Sequence, residues 1–231
     1  MNKIALILAA GTGERMKESV PKQFLLLNNK PILMHTIKKF TDFDDIVVVI
    51  NKSYFNFWEK LCVKYKFTTN HRLVAGGKTR FNSVKNGLNV ISDDCAVAIH
   101  DGVRPFVTKN LIFKIINKVI NGHENIGLIP TIPIKDSVCI YKKKIQHIDR
   151  NNMFLIQTPQ CFFSKSIKKA YQQKYQHSFT DDASVFINNS GKVNILLGEE
   201  TNIKITTKED LKLQEYFIER SVNLKHNSIN F

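Results

Sequence analysis

The sequence predicts an α/β protein: a mostly parallel sheet with helices on both faces, and a β-hairpin arm protruding from it. Three observations carry that prediction. Apolar runs of strand length alternate along the chain with segments whose apolar residues recur at helical spacing. Runs such as Ile4 to Ala10 and Asp45 to Ile50 are apolar or β-branched almost throughout, as strands buried on both faces are. Residues 136–149 break this rhythm, because Val138 and Ile140, then Ile145 and Ile148, flank a Lys142-Lys143-Lys144 tip, the pattern of a hairpin.

Taken in order, Ile4 to Ala10 reads as a buried strand feeding the glycine loop Gly11-Thr12-Gly13-Glu14-Arg15-Met16, followed by Pro21-Lys22-Gln23-Phe24. Pro31 can open a helix over Ile32 to Phe40, and Asp45 to Ile50 is the next strand. Ser53 can cap a helix through about Tyr65. His71 to Val74 is a short strand ending at Gly76-Gly77, and Thr79 to Ile91 is helical. Cys95 to His100 is another strand, and Thr108 is a fitting N-cap for Lys109 to Asn121, closed by Gly122. Ile126 to Ile134 is extended. After the hairpin come a helix at Ser164 to Gln176, another from Thr180-Asp181-Asp182 to near Gly191, a strand at Val193 to Leu197, and an extended Asn202 to Thr206. Thr206 and Glu209 form a capping-box pattern for a last helix in which Leu213, Tyr216 and Phe217 share a face. The expectation is one Rossmann-like domain over residues 1–220, with 136–149 as the arm and 221–231 as a frayed tail.

Composition narrows the class. At 231 residues, 43% hydrophobic and 23% charged, the chain can bury one large core. It opens directly on a strand pattern without a basic leader, and no apolar run approaches membrane-spanning length, so a cytoplasmic protein is expected. Cys62, Cys95, Cys139 and Cys161 lie far apart without metal spacing and read as reduced thiols. The net charge of +14 suits a nucleic-acid surface, an acidic substrate or a lysine-rich composition. The lysines are spread along the whole chain, and no basic, aromatic-interleaved module appears, so no nucleic acid and no membrane is expected as a partner.

The residues able to do chemistry fall at strand ends, where ligands collect in such sheets. Gly11 and Gly13 let a ligand approach successive backbone N–H groups. Ala9 and Ala10 leave room for a flat base, and Arg15 and Lys22 supply the charge a polyphosphate needs. Met16 excludes the dinucleotide fingerprint, and Arg72 excludes a P-loop ending at Gly76-Gly77-Lys78-Thr79. Ser83 reads either as a hydroxyl facing a ligand or as a solvated helix residue. His100, in His100-Asp101-Gly102-x-Arg104-Pro105, reads best as a hydrogen-bonded core histidine. Thr180 and Asp181 read alone as a helix cap. Lys204 stands opposite Ile203 and Ile205 on an extended segment and points off one face.

Together, Ala-Ala-Gly-x-Gly-x-Arg-Met and Pro-Lys-Gln make the chain resemble the nucleotidyltransferases that join a sugar or polyol phosphate to a nucleotide. Within them it is similar to the 2-C-methyl-D-erythritol 4-phosphate cytidylyltransferase family. The likeness extends through Gly76-Gly77-x-x-Arg80-x-x-Ser83-Val84, Asp101 with Arg104, Asp136-Ser137, Arg150-Asn151, Thr158-Pro159-Gln160, Thr180-Asp181-Asp182 and Asn202-Ile203-Lys204-Ile205-Thr206, almost the whole chain. Ser137 stands where threonine is usual, and Gly102-Val103 where many members have alanine.

The resemblance implies catalytic roles for Arg15, Lys22, Arg150 and Lys204. It implies CTP contacts from Ala9, Ala10, Gly11, Gly13, Gly76, Gly77, Arg80, Ser83 and Gly102, and polyol-phosphate contacts from Asp101, Arg104, Ser137, Thr158 and Thr180. Mg²⁺ is the implied cofactor, held mainly by phosphates with Asp101 as the candidate ligand. The implied assembly is a homodimer whose arm brings Arg150 to the neighbouring site; an arm folded back on its own domain is the alternative. CTP and a polyol phosphate are the implied partners, for isoprenoid precursor synthesis by the non-mevalonate route. Ribitol 5-phosphate cytidylyltransferases share most of these segments, and a basic nucleic-acid-binding protein is the rival of another class. The chain's end at residue 231 leads to the expectation of a monofunctional enzyme without a fused cyclase.

Overall fold

The protein, as a computed structural model, is described over residues 1–11 and 20–212. The expectations for Gly13 and Arg15, for the helical face of Leu213, Tyr216 and Phe217, and for the tail 221–231 lie outside those residues. The elements in order are β1 (Asn2–Ala9), β2 (Leu26–Leu27), β3 (Lys30–Pro31), α1 (Ile32–Ile37), β4 (Asp45–Ile50), α2 (Phe55–Lys64), β5 (Arg72–Ala75), α3 (Arg80–Asn89) and β6 (Cys95–Asp101). They continue as α4 (Lys109–Ile120), β7 (Ile126–Pro133), β8 (Val138–Lys142), β9 (Lys144–Ile148), β10 (Phe154–Ile156), β11 (Gln160–Phe163), α5 (Ser164–Ala170), α6 (Asp182–Asn188) and β12 (Lys192–Leu197).

The main sheet runs β10–β7–β11–β6–β1–β4–β5, with β12 also paired to β7. β4 and β6 flank β1 in parallel, β5 is parallel to β4, and β12 is parallel to β7. β10 and β11 run the other way. The chain thus leaves β1 toward β4 on one side and later returns to β6 on the other, which opens a crevice at the carboxyl end of β1. Ala9 pairs with Ile50, Ile50 with Ala75, and Leu8 with Asp101, so the ends of four strands form one rim.

Both faces of the sheet are covered, and alternation along β1 shows how. Ala5, Ile7 and Ala9 pack with Met34, Ile37, Trp58, Ile112 and Ile116 of α1, α2 and α4. Ile4 and Leu6 pack with Phe81, Val84, Ile167, Ala170, Val185 and Phe186 of α3, α5 and α6. Burying a branched aliphatic side chain this completely contributes roughly 1.5–3 kcal/mol, which is why sequence periodicity translates directly into position.

Several boundaries differ from expectation, each for a local reason. Ser53 does not cap α2: it lies in a 3-10 turn, Lys52–Tyr54, that leads into the helix and is capped by Asn51, whose Oδ1 accepts from the Ser53 N–H at 3.0 Å and from the Ser53 hydroxyl at 2.9 Å. The helix expected to reach Gln176 stops at Ala170, where the Gln173 amide donates to the Ala170 carbonyl at 2.7 Å and to the Val185 carbonyl at 2.9 Å. Asn202 to Thr206 joins no ladder; Ile205 N–H donates to the Val103 carbonyl at 2.9 Å. The last cap is shifted by one residue: Asp210 N–H donates to the Thr207 hydroxyl, and Asp210 Oδ2 accepts from the Thr206 and Thr207 N–H groups. The hairpin forms where expected, with β8 and β9, among the described residues, paired only to each other and Lys143 at positive φ in its turn.

Candidate active site

At the rim lies a cleft of about 610 Å³, lined by Ala9, Ala10 and Gly11 from the end of β1, Lys22 and Gln23, Gly77 to Arg80 with Ser83, Asp101, and Lys204. These come from five separated stretches of sequence. Among the described residues, a Cβ added at Gly11 would meet nothing within 4 Å. Gln23, itself buried, donates to the Ala9 carbonyl at 2.7 Å and the Gly11 carbonyl at 3.2 Å. It therefore ties the segment carrying Lys22 to the start of the glycine loop.

The opposite wall is a turn built on small residues. A Cβ at Gly76 would fall 2.4 Å from Ala10 Cβ, and one at Gly77 would fall 2.3 Å from Asn82 Cβ. Gly76 N–H donates to the Ile50 carbonyl at 2.8 Å, and Gly77 N–H donates to the Ser83 hydroxyl at 3.0 Å. Ser83 is buried and donates in turn to the Thr79 carbonyl at 3.0 Å, so it braces the turn instead of standing in solvent. Thr79 caps α3 by accepting from the Asn82 N–H, which fixes how the helix meets the cleft.

Asp101 ends β6 and is 7% exposed. Its Oδ2 accepts from Arg104 Nε at 3.0 Å and lies 3.1 Å from Lys204 Nζ. Burial favours the neutral acid, but the charges of Lys204, Arg104 and Arg80 outweigh it and hold the carboxyl well below the usual carboxylate range. Beneath it, the Thr158 hydroxyl accepts from the Asp101 N–H at 3.1 Å. His100 Nε2 faces the Arg104 carbonyl at 3.1 Å, which requires the proton on Nε2. Its Nδ1 therefore accepts from the Thr158 hydroxyl at 3.0 Å. Burial lowers the His100 pKa to about 4, leaving it a neutral core residue as the sequence suggests.

Other expected contacts sit elsewhere. Gly102 donates its N–H to the Leu8 carbonyl at 2.8 Å and accepts the Thr36 hydroxyl at 2.9 Å, so both its backbone groups are engaged within the core. Thr158 is buried under Asp101, and Arg104 is turned toward Asp101 and the Asn202 carbonyl. Thr180 is exposed just before the capping box in which Asp181 and Ser184 bond each other's backbone. Ser137 and Arg150 lie at the exposed foot of the arm, where Arg150 bonds the Lys135 carbonyl; neither lines this cleft. Sequence reasoning gave no role to Gln23, to the fully buried Asn202, whose amide donates to the Thr158 carbonyl at 2.8 Å, or to Asp182. All three belong to the quoted motifs, which was the available signal.

Among the described residues no three His, Cys, Asp or Glu side chains gather as a metal site. Among the described residues, Asp101 is the one carboxylate lining the cleft. A single carboxylate beside bound phosphates is how Mg²⁺ is commonly held, so the donor set fits that ion only together with a nucleotide. No helix among the described residues is long and apolar enough to cross a membrane.

The family described as 2-C-methyl-D-erythritol 4-phosphate cytidylyltransferase matches residues 3–220. A protein of that name from Azobacteroides pseudotrichonymphae is 42% identical over 227 residues, covering 94% of this chain and 99% of its own. One from Porphyromonas gingivalis is 42% identical over 220 residues, covering 94% and 97%. The crystal structure of the Francisella tularensis enzyme of the same name superposes with a TM-score of 0.78 at 33% identity, over 94% of this chain and 99% of that one. With the family model matched over residues 3–220 and these relatives aligned over nearly the full length, the chain belongs to the 2-C-methyl-D-erythritol 4-phosphate cytidylyltransferase family.

Proposed function

We propose that this enzyme transfers CMP from CTP to 2-C-methyl-D-erythritol 4-phosphate, giving 4-diphosphocytidyl-2-C-methyl-D-erythritol and pyrophosphate in non-mevalonate isoprenoid precursor synthesis. The observation that carries this reading is the convergence of Gly11, Lys22, Gly77, Arg80, Ser83, Asp101 and Lys204 on one rim cleft.

The chemistry needs no general base. A phosphate monoester has its second pKa near ~6, so at neutral pH the attacking oxygen is already anionic. It forms a bond to the α-phosphorus as the bond to the bridging oxygen of pyrophosphate breaks. The obstacle is repulsion between two anions, and fixed positive charge with correct alignment overcomes it. In this reading the Gly11 and Gly77 walls hold the nucleotide, and Lys22 and Arg15 neutralise charge developing at the α-phosphate. Lys204 draws the attacking phosphate toward the same point, with Asp101 restraining its ammonium. Arg150 acts from the arm of a second copy. Asp101 and the CTP phosphates would hold Mg²⁺, which when bound supplies further neutralisation of phosphate charge.

The test is direct. Purified protein is given CTP with either methylerythritol phosphate or ribitol 5-phosphate, and pyrophosphate release is followed with and without a chelator. Release with the first acceptor, abolished by chelation, is expected. Preference for ribitol 5-phosphate would overturn the acceptor, and turnover unaffected by chelation would overturn the need for a divalent cation. Lys22→Ala should lower turnover by roughly 10²- to 10³-fold; near-normal turnover would remove Lys22 from its role.

A further inference from the structure

Behind the cleft wall formed by Arg80 lies a buried anion that the reaction as described does not use. Asp182 opens α6 and is wholly buried. Its two oxygens accept separately from the two ends of the Arg80 guanidinium, Nη1 to Oδ1 at 2.8 Å and Nη2 to Oδ2 at 2.7 Å. Oδ1 also accepts the Tyr171 hydroxyl at 2.6 Å. Tyr171 is itself buried, its ring stacked on Phe81 with centroids 4.7 Å apart. The three groups come from α3, α6 and the residue just after α5.

The pair is asymmetric. The carboxylate is sealed, whereas the arginine side chain is 31% exposed and lines the cleft. A guanidinium has five N–H donors; Asp182 takes two, which leaves three on the sides facing away from it. A buried ion pair serving only to join helices is commonly replaceable by apolar residues without loss of stability, so a sealed carboxylate aimed at a cleft-lining cation calls for another explanation. Arg80 also belongs to the positive field acting on Asp101, which places its charge toward the reacting end of the cleft. A bidentate clamp from behind removes the freedom that a long side chain otherwise loses only when ligand binds.

We propose that Asp182 and Tyr171 are positioning residues of the nucleotide site, clamping the Arg80 fork so that its remaining donors meet bound CTP. This rests on the functional reading above. The experiment compares wild type with Tyr171→Phe, Asp182→Asn, Arg80→Ala and the Asp182→Asn/Arg80→Ala double variant, by calorimetric titration with CTP and by steady-state kinetics on both substrates. Tyr171→Phe, which keeps the stacked ring, should raise the KM for CTP by about fivefold, and Asp182→Asn by about tenfold or more. The KM for the polyol phosphate should stay within about twofold of wild type, and the double variant should bind CTP no more weakly than Arg80→Ala. Unchanged CTP affinity in Tyr171→Phe, equal rises in both KM values, or additive losses in the double variant would each overturn the positioning role. Wild-type protein that binds no CTP would instead overturn the functional reading and this role with it.

Discussion

Asp101 and His100 are adjacent in sequence, both buried, and both held deprotonated, the carboxyl by the cations around it and the imidazole by burial. The carboxyl is favoured as an anion because Lys204 and Arg104 stand on it. Asp101→Asn leaves those two cations facing each other, and unfolding in urea should show a loss of about 3 kcal/mol. Since the folded pKa lies below the ordinary 3.8, the stabilisation is complete above that value and is lost as pH falls through the lower one. His100 acts in the same direction, over a higher pH range. Its pKa falls from 6.5 to about 4, so between those values the unfolded chain binds a proton that the folded protein refuses, and stability rises with pH. At ~1.4 kcal/mol per unit, lowering the pH from 7 to 5 should cost about 2 kcal/mol on this account. His100→Gln should lose less stability over the same interval in parallel denaturation curves; an identical loss would exclude His100 as the source. The positions of these groups at a strand end were legible, but the partners that set their charge were not. Arg80 and Asp182 stand 102 residues apart, and no local pattern announces that a buried carboxylate waits behind a cleft arginine.

The glycine turn between β5 and α3 shows how an element can act as a gauge of width. Gly76 faces Ala10 so closely that an added methyl group must displace one wall of the cleft. Gly76→Ala should therefore weaken CTP binding by tenfold or more, on the order of 1.4 kcal/mol, as read by titration. Ser83→Ala leaves the Gly77 N–H without its acceptor, and about 1 kcal/mol of stability should go with it. Long apolar strands such as β1 and β4, and the cap Thr108, were legible because their signals are local. The short strands β10 and β11, with three and four residues, carry too little periodicity to register. The final cap was ambiguous for a concrete reason: Thr206 precedes Glu209 by three residues and Thr207 precedes Asp210 by three. Only the observed hydrogen bonds of Asp210 choose between them.

For the whole molecule, the arm is the part with the least support of its own. Ile140, Tyr141 and Ile145 on β8 and β9, and Phe154, Leu155 and Ile156 on β10, are all exposed. A two-stranded ribbon is marginal when solvated on both faces, and a second copy of the chain is our proposed cover. Sedimentation should give a dimer of the 26.6 kDa chain, and deletion of residues 137–148 should give a monomer; an unchanged mass would rule out the arm as the cause. If Arg150 serves the neighbour's cleft, a mixture of Lys22→Ala and Arg150→Ala subunits forms hybrids with one intact site. Activity should then recover to roughly a quarter of wild type, although each variant alone is nearly inactive; no recovery would place Arg150 in its own chain's site. The pairing of Phe154 with Pro133 sets both feet of this excursion side by side at the edge of the sheet. Such a loop is a cassette: lineages can lengthen, shorten or exchange it without re-registering a single strand of the nucleotide-binding half, so partner choice and base choice are free to diverge at different speeds.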